Sequence, residues 1–146
     1  MPKHDDLSLS GQICFPLYAA SKEVIRRYRP FLDPLDLTYT QYITMMVMWE
    51  EKEINVKNLG ARLFLDSGTL TPVLKSLESK GYVKRGRSAE DNRVLTVTLT
   101  DEGVKLKDRC RDIPSCVASK CSALSQEEAL QLYGLLYKLL EGFAPE

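Results

Sequence analysis

Histidine and paired cysteines are scarce in this sequence. It contains a single histidine, His4, and four cysteines, none of which lies in a C-x-x-C pair. A structural zinc ion takes four cysteine or histidine ligands, usually in closely spaced pairs, so these spacings do not favour such a site. We expect no metal and no cofactor. The four thiols are Cys14, Cys110, Cys116 and Cys121.

The sequence also lacks a long apolar run and a targeting segment. No stretch approaches the roughly 20 apolar residues that cross a bilayer. The first residues, M-P-K-H-D-D, have neither the basic region and apolar core nor the cleavage site of a secretory signal. We therefore expect a cytoplasmic protein without a membrane partner, in a compartment where thiols are kept reduced.

An excess of charge of one sign is absent too. The 20 Lys and Arg residues balance the 20 Asp and Glu residues, so the net charge does not indicate an acidic partner such as DNA. Hydrophobic residues make up 44% of the 146 residues and charged residues 27%, which is typical of a globular chain. The length predicts a single domain over residues 1–146.

Hydrophobic periodicity predicts a mainly α fold with one β-hairpin. The first helix is expected from residue 7 to 29, ended by Pro30, and the second from 38 to 50 with Thr38 or Thr40 as its cap. A third helix over 56–63 and a fourth over 68–80 follow, with Gly81 at the C-terminal cap. Strands are expected at 82–88 and 93–99. A fifth helix starts at Thr100 and runs toward Cys116 or beyond, with a kink at Pro114.

The last helix is predicted to begin at a capping box, Ser125-x-x-Glu128. Its apolar residues cover nearly the whole circumference, which a small domain cannot bury by itself. A partner surface is therefore implied. The apolar positions are Leu130, Leu132, Tyr133, Leu135, Leu136, Tyr137, Leu139, Leu140 and Phe143.

The third helix, the fourth helix and the hairpin together predict a winged helix-turn-helix that binds DNA. The face of the fourth helix opposite its leucines carries small polar side chains and Lys75, which suit a major groove. Residues 75–93 hold six basic and three acidic residues, although a solvated charged face would look the same. The candidate DNA-binding residues are Ser67, Thr69, Thr71, Pro72, Lys75, Arg85, Arg87, Asp91 and Arg93.

Several motifs resemble the MarR family of winged-helix repressors over almost the whole chain. Asp91-x-Arg93 followed by L-T-D-x-G at 99–103 is similar to the family's wing signature. Within the family, Q-I-C-F at 12–15, L-T-Y-T-Q-Y at 37–42 and L-D-S-G-T-L-T-P at 65–72 resemble the OhrR branch, which senses organic hydroperoxides through a cysteine.

The resemblance implies a homodimer that represses transcription and releases a pseudo-palindromic double-stranded DNA operator when an organic hydroperoxide oxidises Cys14. Residues 36–100 would form the DNA-binding part, and residues 7–30 and 101–143 the dimerisation helices. The alternatives are a repressor of the same fold that responds to a small ligand, with Cys14 structural, and a thiol peroxidase. The peroxidase is the weakest, because no base or second thiol near Cys14 in sequence would activate it.

Helical geometry relates Cys14 to two tyrosines. Tyr18 and Tyr28 lie within about 40° of Cys14 on a helical wheel, so all three share a face. Tyr28 is nevertheless about 21 Å away along the axis, and only an antiparallel copy of the helix could bring it to Cys14. The resemblance adds Tyr39 as another hydroxyl near the sulfur. Pro16 departs from a continuous helix and predicts a late start or a kink beside the thiol.

The resemblance also implies two endings for the oxidised cysteine. In some relatives a small thiol caps the sulfenic acid, and in others a second cysteine of the other subunit forms a disulfide with it. We favour Cys116 as that second cysteine, with Cys121 next and Cys110 as a packing residue.

Overall fold

Seven α-helices and one three-stranded sheet make up residues 7–143, the part of the chain that this computed structural model describes. The helices are α1 Cys14–Leu32, α2 Tyr39–Glu51, α3 Val56–Leu63, α4 Ser67–Ser79, α5 Asp101–Arg109, α6 Ile113–Lys120 and α7 Gln126–Glu141. The strands are β1 Glu53–Asn55, β2 Val83–Arg87 and β3 Leu95–Leu99. The chain divides into two compact units between Ile113 and Pro114, and its organisation as one domain stays a prediction.

Helix α1 begins later and ends later than the sequence predicted. A short 3-10 turn covers Leu9–Gly11, and α1 starts only at Cys14. Pro16 thus lies in the first turn, where a backbone N–H has no partner within the helix, and this explains the late start. The predicted break at Pro30 is wrong, because α1 continues to Leu32. The missing N–H of Pro30 affects only the final turn.

Helices α2, α3 and α4 form the helix-turn-helix, and each begins at a side-chain cap. Thr38 and Gln41 form a capping box on α2, Asn55 caps α3 and Asp66 caps α4. Helix α4 buries its leucine stripe, as predicted, and Gly81 follows it with a φ of +83°, which glycine adopts without strain. The stripe consists of Leu70, Val73, Leu74 and Leu77.

The predicted hairpin is present and gains a third strand. Strands β2 and β3 pair antiparallel, with Val83 opposite Leu99 and Arg87 opposite Leu95. The short strand β1 pairs with the other edge of β3, Ile54 lying opposite Val97, so the strand order is β1-β3-β2. The sequence did not predict β1.

The L-T-D-x-G motif joins the sheet to α5. Thr100 caps α5 by accepting the Gly103 N–H, and its own hydroxyl donates to the Gly81 carbonyl. The Trp49 indole donates to the Gly103 carbonyl at 2.8 Å. A Cβ at Gly103 would lie 2.3 Å from the Tyr82 carbonyl oxygen, so the close approach requires glycine.

The helix predicted to run from Thr100 toward Cys116 with a kink is instead two helices. Helix α5 ends at Arg109 and α6 starts at Ile113. Pro114 lies in the first turn of α6, where proline is favoured, so it helps to start a helix. Helix α7 begins at the predicted Ser125–Glu128 capping box. No helix within residues 7–143 is long and apolar enough to cross a membrane.

Candidate functional site

The exposed face of α4 carries the small polar side chains that the sequence assigned to DNA. All five candidates on α4 are solvent-exposed, whereas the leucine stripe of the same helix is buried. The Thr71 hydroxyl donates to the Ser67 carbonyl at 2.7 Å, which keeps that side chain against the helix. The short side chains of this face therefore let the helix enter a major groove. Its residues are Ser67, Thr69, Thr71, Pro72 and Lys75.

The connection between β2 and β3 presents Arg93, whose side chain is 91% exposed. The Asp91 carboxylate accepts the Arg93 backbone N–H at 3.0 Å and the Arg93 Nε at 3.2 Å. These two hydrogen bonds, the backbone one first, hold the pKa of Asp91 below its usual value. Asp91 thus orients an exposed arginine at the wing, as predicted, and Arg87 Nη1 lies 3.5 Å from the Arg93 carbonyl oxygen.

Arg85 has a second role that the sequence did not predict. The Glu78 carboxylate on α4 accepts its backbone N–H at 2.8 Å and its Nη2 at 3.1 Å, which lowers the pKa of Glu78. The Arg85 side chain is only 21% exposed. It joins β2 to α4, and its contact with DNA stays a prediction. The basic side chains of residues 75–93 that are solvent-exposed are Lys75, Lys84, Arg87 and Arg93.

The four thiols differ in exposure. Cys14, the first residue of α1, is exposed, as is Cys121, whereas Cys116 is partly exposed. Cys110 is 3% exposed, and burial raises the pKa of its thiol. A buried thiol with a raised pKa is a poor nucleophile, which fits the packing role predicted for Cys110.

Three tyrosines form a cluster between α1 and α2. The ring centroids of Tyr28 and Tyr39 are 4.9 Å apart, and Tyr42 lies 5.7 Å from Tyr28 and 6.3 Å from Tyr39. Burial, followed by the neighbouring Tyr28, raises the pKa of Tyr39 and raises that of Tyr42 to about 12. Both phenols therefore stay protonated at neutral pH and can donate hydrogen bonds.

The structure thus brings together Tyr28 and Tyr39, two of the residues assigned to the sensor. Tyr42 was not among them, although its position three residues after Tyr39 places both on one side of α2. Tyr18 is 60% exposed, and Lys22 Nζ lies 5.1 Å from the centre of its ring. Cys14 and Tyr28 lie about 21 Å apart along α1, so one chain does not unite them.

A cavity of about 320 Å³ opens beside the tyrosine cluster. It is lined by apolar side chains of α1, among them Ile25 and Leu32, and by Tyr39 and Arg29. This volume lies at the small end of the range for small-molecule sites.

The fold and these surfaces define a winged helix-turn-helix DNA-binding protein with an exposed thiol at the start of α1. The family model described as transcriptional regulator SarA/Rot matches residues 26–110. The chain belongs to this family of winged-helix transcriptional regulators, which includes the MarR type. The predicted fold class and the prediction of a regulator rather than a thiol peroxidase are confirmed.

Three relatives illustrate the similarity. An organic hydroperoxide resistance transcriptional regulator of Bacillus subtilis is 45% identical over 139 residues, which cover 95% of this chain and 94% of the relative. Reduced AbfR bound to DNA is 33% identical with a TM-score of 0.75, over 94% of this chain and 95% of AbfR, a protein of Staphylococcus epidermidis. A cysteine-to-serine mutant of Escherichia coli MarR complexed with operator DNA is 26% identical with a TM-score of 0.83, over 94% of this chain and 99% of MarR.

AbfR has a further structure with a disulfide formed. It is 34% identical to this chain and covers 90% of it and 92% of AbfR, with a TM-score of 0.61. A relative with a third of its residues identical to this chain therefore exists both reduced on DNA and with a disulfide.

Proposed function

We propose that this chain is a homodimeric repressor that releases a pseudo-palindromic operator when an organic hydroperoxide oxidises Cys14. The name of the Bacillus subtilis relative and the two redox forms of AbfR support this proposal. A repressor acts where the chromosome lies, so we place it in the cytoplasm, where thiols are kept reduced.

The observation that carries the proposal is the separation of the thiol from the tyrosine cluster. Cys14 starts α1, whereas Tyr28 lies near the other end of α1 and contacts Tyr39. A second copy with its α1 antiparallel would bring Cys14 of the partner subunit to Tyr28 and Tyr39. The sensor is then complete only in a dimer.

Exposed apolar side chains support the dimer. Both α1 and α7 expose large hydrophobic residues that water disfavours, and none of the α7 residues is buried within the chain. On α1 these are Phe15, Leu17, Tyr18 and Val24, and on α7 Leu130, Leu132, Tyr133, Leu135, Tyr137 and Leu139.

The chemistry begins with the Cys14 thiolate, the reactive form of the thiol. Phenolic hydroxyls that donate to the sulfur favour this anion. The thiolate attacks the terminal oxygen of the hydroperoxide, the O–O bond breaks, and the alkoxide leaves and takes up a proton as an alcohol. Cys14 becomes a sulfenic acid, oxidised by two electrons.

A second thiol then condenses with the sulfenic acid. The Cys116 thiolate attacks the sulfenic sulfur, a disulfide forms, and the hydroxyl leaves as water. Cys121 is the second candidate, and a mixed disulfide with a small cellular thiol is the alternative to both. A disulfide needs Cα atoms within about 7 Å, so helices must move to form it. The two α4 helices, the recognition helices of the dimer, then no longer fit half-sites about 10 base pairs apart.

Non-reducing electrophoresis after one equivalent of cumene hydroperoxide tests this sequence of steps. The wild type should form a covalent dimer and lose operator affinity, whereas Cys14→Ser should do neither. Cys116→Ser should abolish the covalent dimer. If only Cys121→Ser loses the covalent dimer, Cys121 is the thiol that condenses with the sulfenic acid. If the wild type stays a monomer with a mixed disulfide, a small thiol has that role. Full oxidative release of Cys14→Ser contradicts the proposal.

The cavity beside Tyr39 supports a second candidate function, a repressor that responds to a small apolar ligand. Release by such a ligand would survive Cys14→Ser, whereas oxidative release would not. The same variant therefore separates the two functions.

A further inference from the structure

Gln41 is a buried polar residue in the first turn of α2, next to the tyrosine cluster. It is 7% exposed. Its Oε1 accepts the Thr38 backbone N–H at 3.2 Å, and the Thr38 hydroxyl oxygen accepts the Gln41 N–H at 3.2 Å. This capping box fixes the first turn of α2. Tyr39 is the first residue of that turn.

The same amide group also reaches the recognition helix α4. Gln41 Nε2 donates to the Ser76 hydroxyl oxygen at 3.0 Å, and Gln41 Oε1 accepts from Lys80 Nζ at 3.0 Å. Lys80 in turn donates to the Asp36 backbone carbonyl and lies 3.6 Å from the Asp36 carboxylate. Gln41 is thus bonded at one end of α2 to its own cap and to two residues near the end of α4.

We propose that Gln41 is a positioning residue that transmits a displacement of the tyrosine cluster to the recognition helix α4. This inference rests on the proposed redox function. Oxidation at the sensor disturbs Tyr39 and hence the first turn of α2. A buried amide loses a large part of its hydrogen-bond energy if its partners move away, so Ser76 and Lys80 move with it. The hydrogen bonds link the first turn of α2, which begins at Tyr39, to α4.

The burial of α4 explains why the hydrogen bonds of Gln41 should affect the loss of operator affinity on oxidation more than the affinity of the reduced protein. Leu70, Leu74 and Leu77 are at most 1% exposed and hold α4 on the rest of the helix-turn-helix. Without the Gln41 link, α4 keeps its place in the reduced protein but no longer depends on the first turn of α2.

Operator affinity of the full-length protein, measured reduced and after oxidation, tests the proposal. Ser76→Ala removes one bond to α4 and leaves the capping box intact, and Gln41→Met removes all of them. We expect each variant to bind the operator within about threefold of wild type when reduced. The oxidative loss of affinity should shrink by about fivefold in Ser76→Ala, the effect of about one hydrogen bond, and by more in Gln41→Met, which removes both bonds to Ser76 and Lys80.

Two controls separate positioning from stability. Ser79→Ala makes the same change on an exposed position of α4 and should keep the full oxidative loss. Gln41→Glu keeps oxygen acceptors for Thr38 and Lys80, and the Ser76 hydroxyl can donate to its carboxylate, so it should restore the response that Gln41→Met loses.

The outcomes also separate this inference from the proposed function. A wild type that keeps its affinity after oxidation contradicts the proposed function itself. If the wild type responds and Ser76→Ala loses as much affinity on oxidation as Ser79→Ala, the role of Gln41 is overturned. Ser76→Ala decides the matter even where Gln41→Met fails to fold, because its capping box is unchanged.

Discussion

Replacement of Arg93 by alanine should weaken operator binding without unfolding the protein. The side chain is 91% exposed at the wing, where Asp91 orients it, so its removal should not disturb the core. Narrow, A·T-rich minor grooves concentrate negative potential and attract such an arginine. We therefore expect Arg93 to enter the minor groove of the operator.

The expected magnitude follows from the charge and the symmetry. A contact between a charged side chain and DNA contributes at least about 1 kcal/mol. A dimer on its operator loses two such contacts, or about 2 kcal/mol, which weakens affinity about thirtyfold. The plot of log affinity against log salt concentration has a negative slope, and its magnitude should decrease by about two, one for each arginine.

Fluorescence anisotropy at several salt concentrations measures both quantities. The operator is a pseudo-palindromic duplex selected by the wild-type protein from a random library. Arg111→Ala is the matched control, because Arg111 is 75% exposed and pairs with Asp108 at 2.6 Å within a short stretch outside the wing. Affinity of Arg93→Ala within twofold of wild type at fixed salt would refute the role of the wing.

Two further predictions concern stability. Gly103→Ala should lower the free energy of unfolding in urea by about 1–3 kcal/mol, because its Cβ would lie 2.3 Å from the Tyr82 carbonyl oxygen. Gly86→Ala, with nothing within 4 Å of its Cβ, should not, and equal losses would contradict this reasoning. Stability should also fall between about pH 10 and 12, because Tyr42 keeps its proton to about pH 12 when folded but only to about pH 10 when unfolded. Tyr42→Phe should lose this part of the pH dependence. A wild type whose stability does not fall between about pH 10 and 12 would contradict the burial of Tyr42.

Local signals in the sequence determined most of the helices and the hairpin. Helix α3 was predicted over 56–63, where the structure has it, and the Thr38 and Ser125 caps start α2 and α7. Such signals act within three or four residues, so the sequence displays them directly. The exposed face of α4 and the Asp91–Arg93 pair are local in the same way.

Tertiary structure decided the features that depend on residues far apart in sequence. Strand β1 has three residues, too few for an alternating pattern, and forms only because β3 pairs with it. The Glu78 carboxylate accepts hydrogen bonds from Arg85, and the Gln41 amide donates to Ser76, 35 positions away. Hydrogen bonds of this kind depend on which buried polar groups meet after the helices pack, and helical periodicity does not encode that choice. The cluster of Tyr28, Tyr39 and Tyr42 arises for the same reason, because α1 and α2 must first pack together to bring the three rings into contact.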